Sequence, residues 1–282
     1  MTWVGCSVRE RFVNPLFETF EGGDFILSSQ HDIEEPLARM RIYLEDAAAA
    51  PEAEAALRRA MDVVGVDAEI ETGEIQDEDW KLSYRRHFTT EEIGRRLVVV
   101  PAWEKPPEGD RIPVVLDPGL AFGTGKHETT RACLEYIDEL APAPGRSASF
   151  LDMGCGSGIL SIAAAKLGFS PVVGFDVDQE AVEASRENAQ ANAAAAEFLH
   201  YGLGSRREPP FAPADVVAAN ILGPLLIRFA AEIAPFAKRD LVVSGILSEL
   251  YQEVLAAYEA HGFREVSRKT LGEWTTGRLM RA

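Results

Sequence analysis

Cysteine is scarce: Cys6, Cys133 and Cys155 are the three in 282 residues. Their number is odd, their spacing is wide and no C-x-x-C pair occurs, which excludes a disulfide framework and a zinc knuckle. Histidine is limited to five residues with no H-E-x-x-H, so the sequence offers no metal site. No apolar stretch approaches the roughly 18 residues of a membrane span. The apolar run within Met1–Glu10 is too short for a signal peptide. A reducing compartment, the cytoplasm, is therefore expected.

Basic charge is also in deficit. Lys and Arg number 28 against 45 Asp and Glu, a formal charge of −17. Residues 1–80 hold 6 basic and 19 acidic side chains (−13), residues 81–146 hold 10 of each, and residues 147–282 hold 12 and 16 (−4). This balance argues against direct nucleic-acid binding, which needs a basic surface to displace counterions. Excess acid keeps a protein soluble, and it also steers encounters with a basic partner protein. Apolar residues make up 46%, enough for a packed core. The uneven charge suggests two units with different tasks.

The first 35 residues give little pattern beyond a turn at Glu21-Gly22-Gly23-Asp24 before Phe25-Ile26-Leu27. Arg39 to Leu44 alternates as a half-buried strand does. Ala53, Leu57, Ala60, Met61 and Val64 recur at helical spacing over 52–64, with Gly65 as the stop. Val66 to Ile70 reads as another strand. Trp80, Tyr84 and Phe88 would share one helix face. Arg96 to Val100 and Pro113 to Leu116 are strand-like, with a proline-rich loop between them. Cys133, Ile137 and Leu140 mark a helix.

From residue 149 the pattern becomes regular. Strands are expected at 149–153, 171–176, 197–201, 215–220 and 241–244. Helices are expected at 159–167, 179–192, 224–236 and 249–261, with 263–269 and 274–280 as a closing antiparallel pair. Such alternation is a doubly wound, mostly parallel sheet that binds ligands at the carboxyl ends of its strands.

Four segments carry the chemistry. Asp152-Met153-Gly154-Cys155-Gly156-Ser157-Gly158 joins a strand to a helix, and its glycines let backbone approach a ligand. The spacing is G-x-G-x-G rather than the dinucleotide G-x-G-x-x-G, which disfavours a nicotinamide oxidoreductase. Asp176, at the end of the next strand, can accept hydrogen bonds from both hydroxyls of an adenosine ribose. Asp178 is the better cap for the helix that follows. Asn220-Ile221-Leu222-Gly223-Pro224 follows a further strand. Its Asn could orient an amine through its amide oxygen, or simply cap a helix. The segment Asp117 to Thr130 contains Gly123-Thr124-Gly125-Lys126, but His127 stands where a phosphate loop needs Ser or Thr.

Together these segments resemble the PrmA family, the S-adenosylmethionine-dependent methyltransferases of the large-ribosomal-subunit protein numbered eleven. The segment 117–130 is the most specific match, and the resemblance covers about residues 76–282. It implies an α/β class I methyltransferase fold, a Rossmann-like seven-stranded, mostly parallel sheet behind a small α+β domain. The domains would be an acidic substrate-recognition domain at 1–75, a linker and lead-in at 76–113, and the S-adenosylmethionine-dependent domain at 114–282. The resemblance also implies methylation of lysine side-chain and N-terminal amines of a basic ribosomal protein. It carries cofactor contacts over to Thr130, Gly154, Asp176 and Asn220, with Asn220 also catalytic. A monomer with no membrane contact is expected. The alternatives are a lysine methyltransferase of another protein, such as an electron-transfer flavoprotein subunit, or a small-molecule N-methyltransferase. The sequence departs from the family at Tyr84-Arg85, where a second tryptophan followed by lysine is usual. No counterpart of the family's first strand and helix is readable in residues 1–35.

Overall fold

The computed structural model describes residues 2–9, 12–20, 25, 27–31, 37–44, 46–74, 89–116 and 128–282. The turn at 21–24, the helix expected through Trp80, Tyr84 and Phe88, and most of the segment 117–130 lie outside these. The chain divides into two compact units, residues 1–87 and 88–282.

The first unit runs β1 (Thr2–Arg9), α1 (Val13–Phe20), β2 (Leu27–His31), β3 (Leu37–Leu44), α2 (Ala50–Val64) and β4 (Ile70–Glu74). Its antiparallel sheet has the order β2-β3-β1-β4, a split βαβ arrangement. Val4, Cys6 and Val8 of β1 and Ala38, Met40, Ile42 and Leu44 of β3 alternate inward and form one core with Leu16, Ala53, Leu57 and Met61 of the helices. Gly65 ends α2 at φ 74°. Two readings are corrected. Residues 1–35 do contain a strand and a helix. The strand placed at 66–70 begins instead at Ile70, because Val66 is still tied to Met61 by the helix-ending turn.

The second unit opens with a three-stranded sheet, β5 (Glu91–Ile93), β6 (Leu97–Pro101) and β7 (Ile112–Leu116). Ile93, Leu97, Val99, Val114 and Leu116 are buried against α3 (Glu128–Leu140) and α4 (Ile159–Lys166) in a shared core. Asp138 of α3, almost wholly buried, accepts from Arg95 N at 2.7 Å and Arg96 Nε at 2.7 Å, which ties the β5–β6 turn to the helix.

The main sheet contains β8 (Phe150–Met153), β9 (Val172–Asp176), β10 (Glu197–His200), β11 (Ala214–Asn220), β12 (Ala237–Leu247), β13 (Phe263–Leu271) and β14 (Trp274–Arg281). Its order is β10-β9-β8-β11-β12-β14-β13, parallel up to β12 and antiparallel where β14 joins β12 and β13. Strands covered on both faces read as continuous apolar runs, because alternate residues enter different cores. Phe150, Val216, Ala218 and Val242 face α3, α4 and α5 (Gln179–Ala191). Leu151, Met153, Val217, Ala219, Leu241 and Val243 face α6 (Gly223–Arg228), α7 (Ala230–Ile233) and α8 (Tyr251–Glu259). The single helix expected at 224–236 is broken: Phe229 leaves helical geometry at φ −103°, ψ 13°, and Pro235 lies in a closing 3-10 turn. Among the described residues, no helix is long and apolar enough to cross a membrane.

Candidate cofactor site

The order of strands reverses between β8 and β11, so the loops leaving their carboxyl ends open a crevice there. The loop after β8 is the glycine segment. Gly154 N and Cys155 N both donate to Phe175 O at 2.9 Å, which curls the loop over the end of β9. Gly154 sits at φ 76°, and a Cβ on it would lie 2.6 Å from Ile221 Cγ2. Glycine is thus what lets the loops after β8 and β11 meet.

Asp176 ends β9. Its Oδ2 accepts from Gly156 N at 2.9 Å and its Oδ1 from Asp178 N at 3.1 Å. These bonds fix the carboxylate against the glycine loop and leave further lone pairs free to accept hydroxyls. Asp178 caps α5, accepting from Glu180 N at 2.9 Å, as its place in the sequence suggested. Helix α5 supports the loop from behind: Ser185 Oγ donates to Gly156 O at 2.8 Å and Asn188 Nδ2 to Ser157 O at 3.0 Å.

Asn220 ends β11, and its Nδ2 donates to Thr130 Oγ1 of α3 at 3.4 Å. The helix-cap alternative for Asn220 does not hold, since α6 starts after Leu222 with no side-chain cap. Gly245 secures the same loop from β12. At φ 79° it passes Ile221 so closely that a Cβ would lie 2.4 Å from the Ile221 carbonyl oxygen.

Thr130, Gly154, Asp176 and Asn220 all line one cavity of about 330 Å³. Ile159, Leu160, Ile221, Leu225 and Phe229 supply apolar wall, and Val177, Tyr201, Gly202 and Leu203 complete the side near Asp176. Tyr201 and Phe229 were missed in the sequence. The signal for Tyr201 was its place just past the carboxyl end of β10. Its ring is held edge-on to Phe211, which stacks on Phe175 with centroids 4.7 Å apart.

Beneath the loop lies Asp152, fully buried. Its Oδ2 accepts from Ser161 Oγ at 2.8 Å and Ser161 N at 3.2 Å, while Oδ1 has no partner. Burial pushes its carboxyl up to about 7, against the bonds from Ser161. Burial also raises the Cys155 thiol, so it stays protonated in the cavity wall. Among the described lining residues, Asp176 is the one carboxylate and there is no histidine.

The cavity suits a nucleoside-bearing cofactor. Its volume falls in the range of small-molecule sites, its walls are largely apolar, and a fixed carboxylate faces glycine backbone. The family model for ribosomal protein L11 methyltransferase (PrmA) matches residues 21–281. The chain belongs to this family. The ribosomal protein L11 methyltransferase of Pseudomonas putida (strain W619) is 46% identical over 188 residues, 66% of this chain and 63% of that protein. That of Azotobacter vinelandii (strain DJ) is 47% identical over 189 residues, 66% of this chain and 62% of that protein. The chain thus spans somewhat less than two thirds of the length of these curated relatives. The crystal structure of a ribosomal protein L11 methylase from Lactobacillus delbrueckii subsp. bulgaricus matches with a TM-score of 0.61 at 29% identity, covering 69% of this chain and 99% of that one. The PrmA fold is thus the α/β arrangement expected from the sequence, a class I methyltransferase sheet in the second unit.

Proposed function

We propose that this member of the PrmA family is a cytoplasmic, S-adenosylmethionine-dependent protein methyltransferase acting on lysine side-chain and N-terminal amines of ribosomal protein L11. The observation that carries the reading is the convergence of Thr130, Gly154, Asp176 and Asn220, from four chain segments, on one cavity. Residues 1–75 would recognise the substrate and 114–282 would house the chemistry.

Asp176 would hold the ribose hydroxyls, and the Gly154–Gly156 backbone would admit the rest of the cofactor. When bound, S-adenosylmethionine supplies an electrophilic methyl group on a sulfonium. The neutral thioether that departs needs no acid, so the protein's task is the nucleophile. A lysine of pKa about 10.4 costs roughly 4 kcal/mol to deprotonate near neutral pH. Apolar walls favour the neutral amine. With the Asn220 NH2 turned to Thr130, its carbonyl oxygen is left to accept from the incoming amine and aim its lone pair. With no histidine lining the cavity among the described residues, the proton would leave through water.

Asp176→Ala tests the site. It removes a charged acceptor of two hydroxyl hydrogen bonds, each worth about 1.5–3 kcal/mol. Calorimetry should show cofactor affinity falling at least about 100-fold, and unchanged affinity would overturn the assignment. Transfer of labelled methyl in a cell extract, read by mass spectrometry, tests the substrate. Label on a different protein would replace L11 as the target.

A further inference from the structure

Strand β12 carries a polar side chain at the level of Asn220. The parallel register sets Ser244 directly opposite Asn220 of β11. Ser244 alternates with Val242, and Asn220 with Val216 and Ala218, all of them in the core under α3, so both polar side chains face that helix. A strand covered on both faces is normally apolar at such a position. Ser244 is instead a wholly buried hydroxyl.

The backbone is shaped to aim it. The register of β12 against β14 shifts between Val243 and Ile246, a bulge with Gly245 in left-handed conformation at φ 79°. A bulge of this kind redirects the side chain beside it. Ser244 Oγ donates to Thr129 O, in the first turn of α3, at 3.2 Å and lies 2.6 Å from Thr276 Oγ1 of β14. A hydroxyl has one proton to give. With the Ser244 proton on Thr129 O, the shorter bond is donated by Thr276, which is also buried. The two hydroxyls form a directed pair that ends on the backbone of α3. The next residue is Thr130, whose hydroxyl accepts from the Asn220 amide at 3.4 Å. That bond is close to the limit of hydrogen bonding, and a retreat of Thr130 by about 0.2 Å would break it. Cys133, one turn along α3, also meets Ser244. Burial pushes its thiol up to about 12, so it stays neutral and the pair carries hydrogen bonds rather than charge.

We propose that Ser244, with Thr276 behind it, is a positioning residue for methyl transfer. It fixes the first turn of α3 so that Thr130 holds the Asn220 NH2 and leaves the amide oxygen turned to the incoming amine. The inference rests on the reading of Asn220 given above. Neither Ser244 nor Thr276 is among the described residues that line the cavity, so their effect on turnover passes through Thr130 and Asn220. A hydroxyl pair that merely glued β14 to α3 would change stability and leave turnover of the folded protein alone.

The test is a double-mutant cycle on the full chain, with kcat and KM for L11 measured at saturating cofactor. Ser244→Ala should lower kcat about tenfold with KM little changed. In an Asn220→Ala background the same change should cost nothing further, because the two residues act as one unit. Thr276→Val keeps the volume and removes the hydroxyl, and it should follow Ser244→Ala. Thr276→Ser keeps the hydroxyl and should follow the wild type. A second readout needs no substrate. The side-chain NH2 signal of Asn220, identified in amide spectra of nitrogen-labelled protein by its loss in Asn220→Ala, should move in Ser244→Ala and Thr276→Val and stay in Thr276→Ser. Losses that add in the double variant, a raised KM with kcat intact, equal effects of Thr276→Ser and Thr276→Val, or an unmoved Asn220 signal would each overturn the proposal. The two readings separate in the wild type. If it fails to methylate L11 while the Asn220 signal moves as expected, the functional reading falls and the positioning of Asn220 stands. Transfer with an unmoved signal overturns the positioning alone.

Discussion

Asp152→Asn is a direct probe of what holds the glycine loop. Burial raises the Asp152 carboxyl from 3.8 to about 7 in the folded protein. Between those values the native state binds more protons than the unfolded chain, so this group's contribution to stability is full below about pH 4. It is lost progressively as pH rises towards 7. A shift of about three pKa units corresponds to roughly 4 kcal/mol, about half of it falling between pH 5.5 and pH 8. The replacement amide is neutral throughout. It can still accept from Ser161, and its NH2 would stand where Oδ1 has no partner. The stability difference, variant minus wild type, should therefore grow by about 2 kcal/mol from pH 5.5 to pH 8, or roughly 4–8 °C in midpoint for a unit of this size. Thermal unfolding of both proteins without cofactor, followed by circular dichroism across that range, measures it. Parallel curves with a constant offset would refute an unpaired, buried, titrating carboxyl at this position.

Three further outcomes are expected. Asn220→Ala should lower turnover about 10- to 100-fold while cofactor affinity by calorimetry changes little; a fall confined to affinity would remove its orienting role. Gly154→Ala forces a side chain into left-handed backbone against Ile221. It should cost roughly 1–3 kcal/mol in chemical denaturation and weaken cofactor binding. Steady-state kinetics in rising salt should show KM for the ribosomal protein climbing steeply with cofactor affinity level. A flat KM would leave the acidic segment as a solubility device.

The parallel sheet was legible because strands such as Phe150–Met153 and Ala214–Asn220 are buried on both faces and stand out as apolar runs between turns. Three of the cavity-lining residues could be read for the same reason, since Gly154, Asp176 and Asn220 sit where such strands end. The N-terminal strand was obscure because its inward Val4, Cys6 and Val8 alternate with Gly5 and Ser7, poor strand formers whose conformation β3 and β4 impose. Helix α1 was hidden by Pro15 within its first turn. Strand β5 is three residues long and two are glutamates, held by pairing with β6. Asn220 was ambiguous because capping and orienting call for the same amide. The structure removes the cap alternative, since the helix starts after Leu222, and ties the amide instead to Thr130, ninety positions earlier in the chain.

The polar side chains of α5 have a consequence for how this cavity could drift or be redesigned. Ser185 and Asn188 grip the backbone of Gly156 and Ser157 yet are not among the residues lining the cavity. The shape offered to a ligand is thus partly set by a helix outside that lining. Substitution there would reshape the cavity through the loop backbone, while Asp176 and Asn220 kept their own places in its wall. Selection on how tightly the cavity holds a ligand thus has a place to work outside the cavity's own lining.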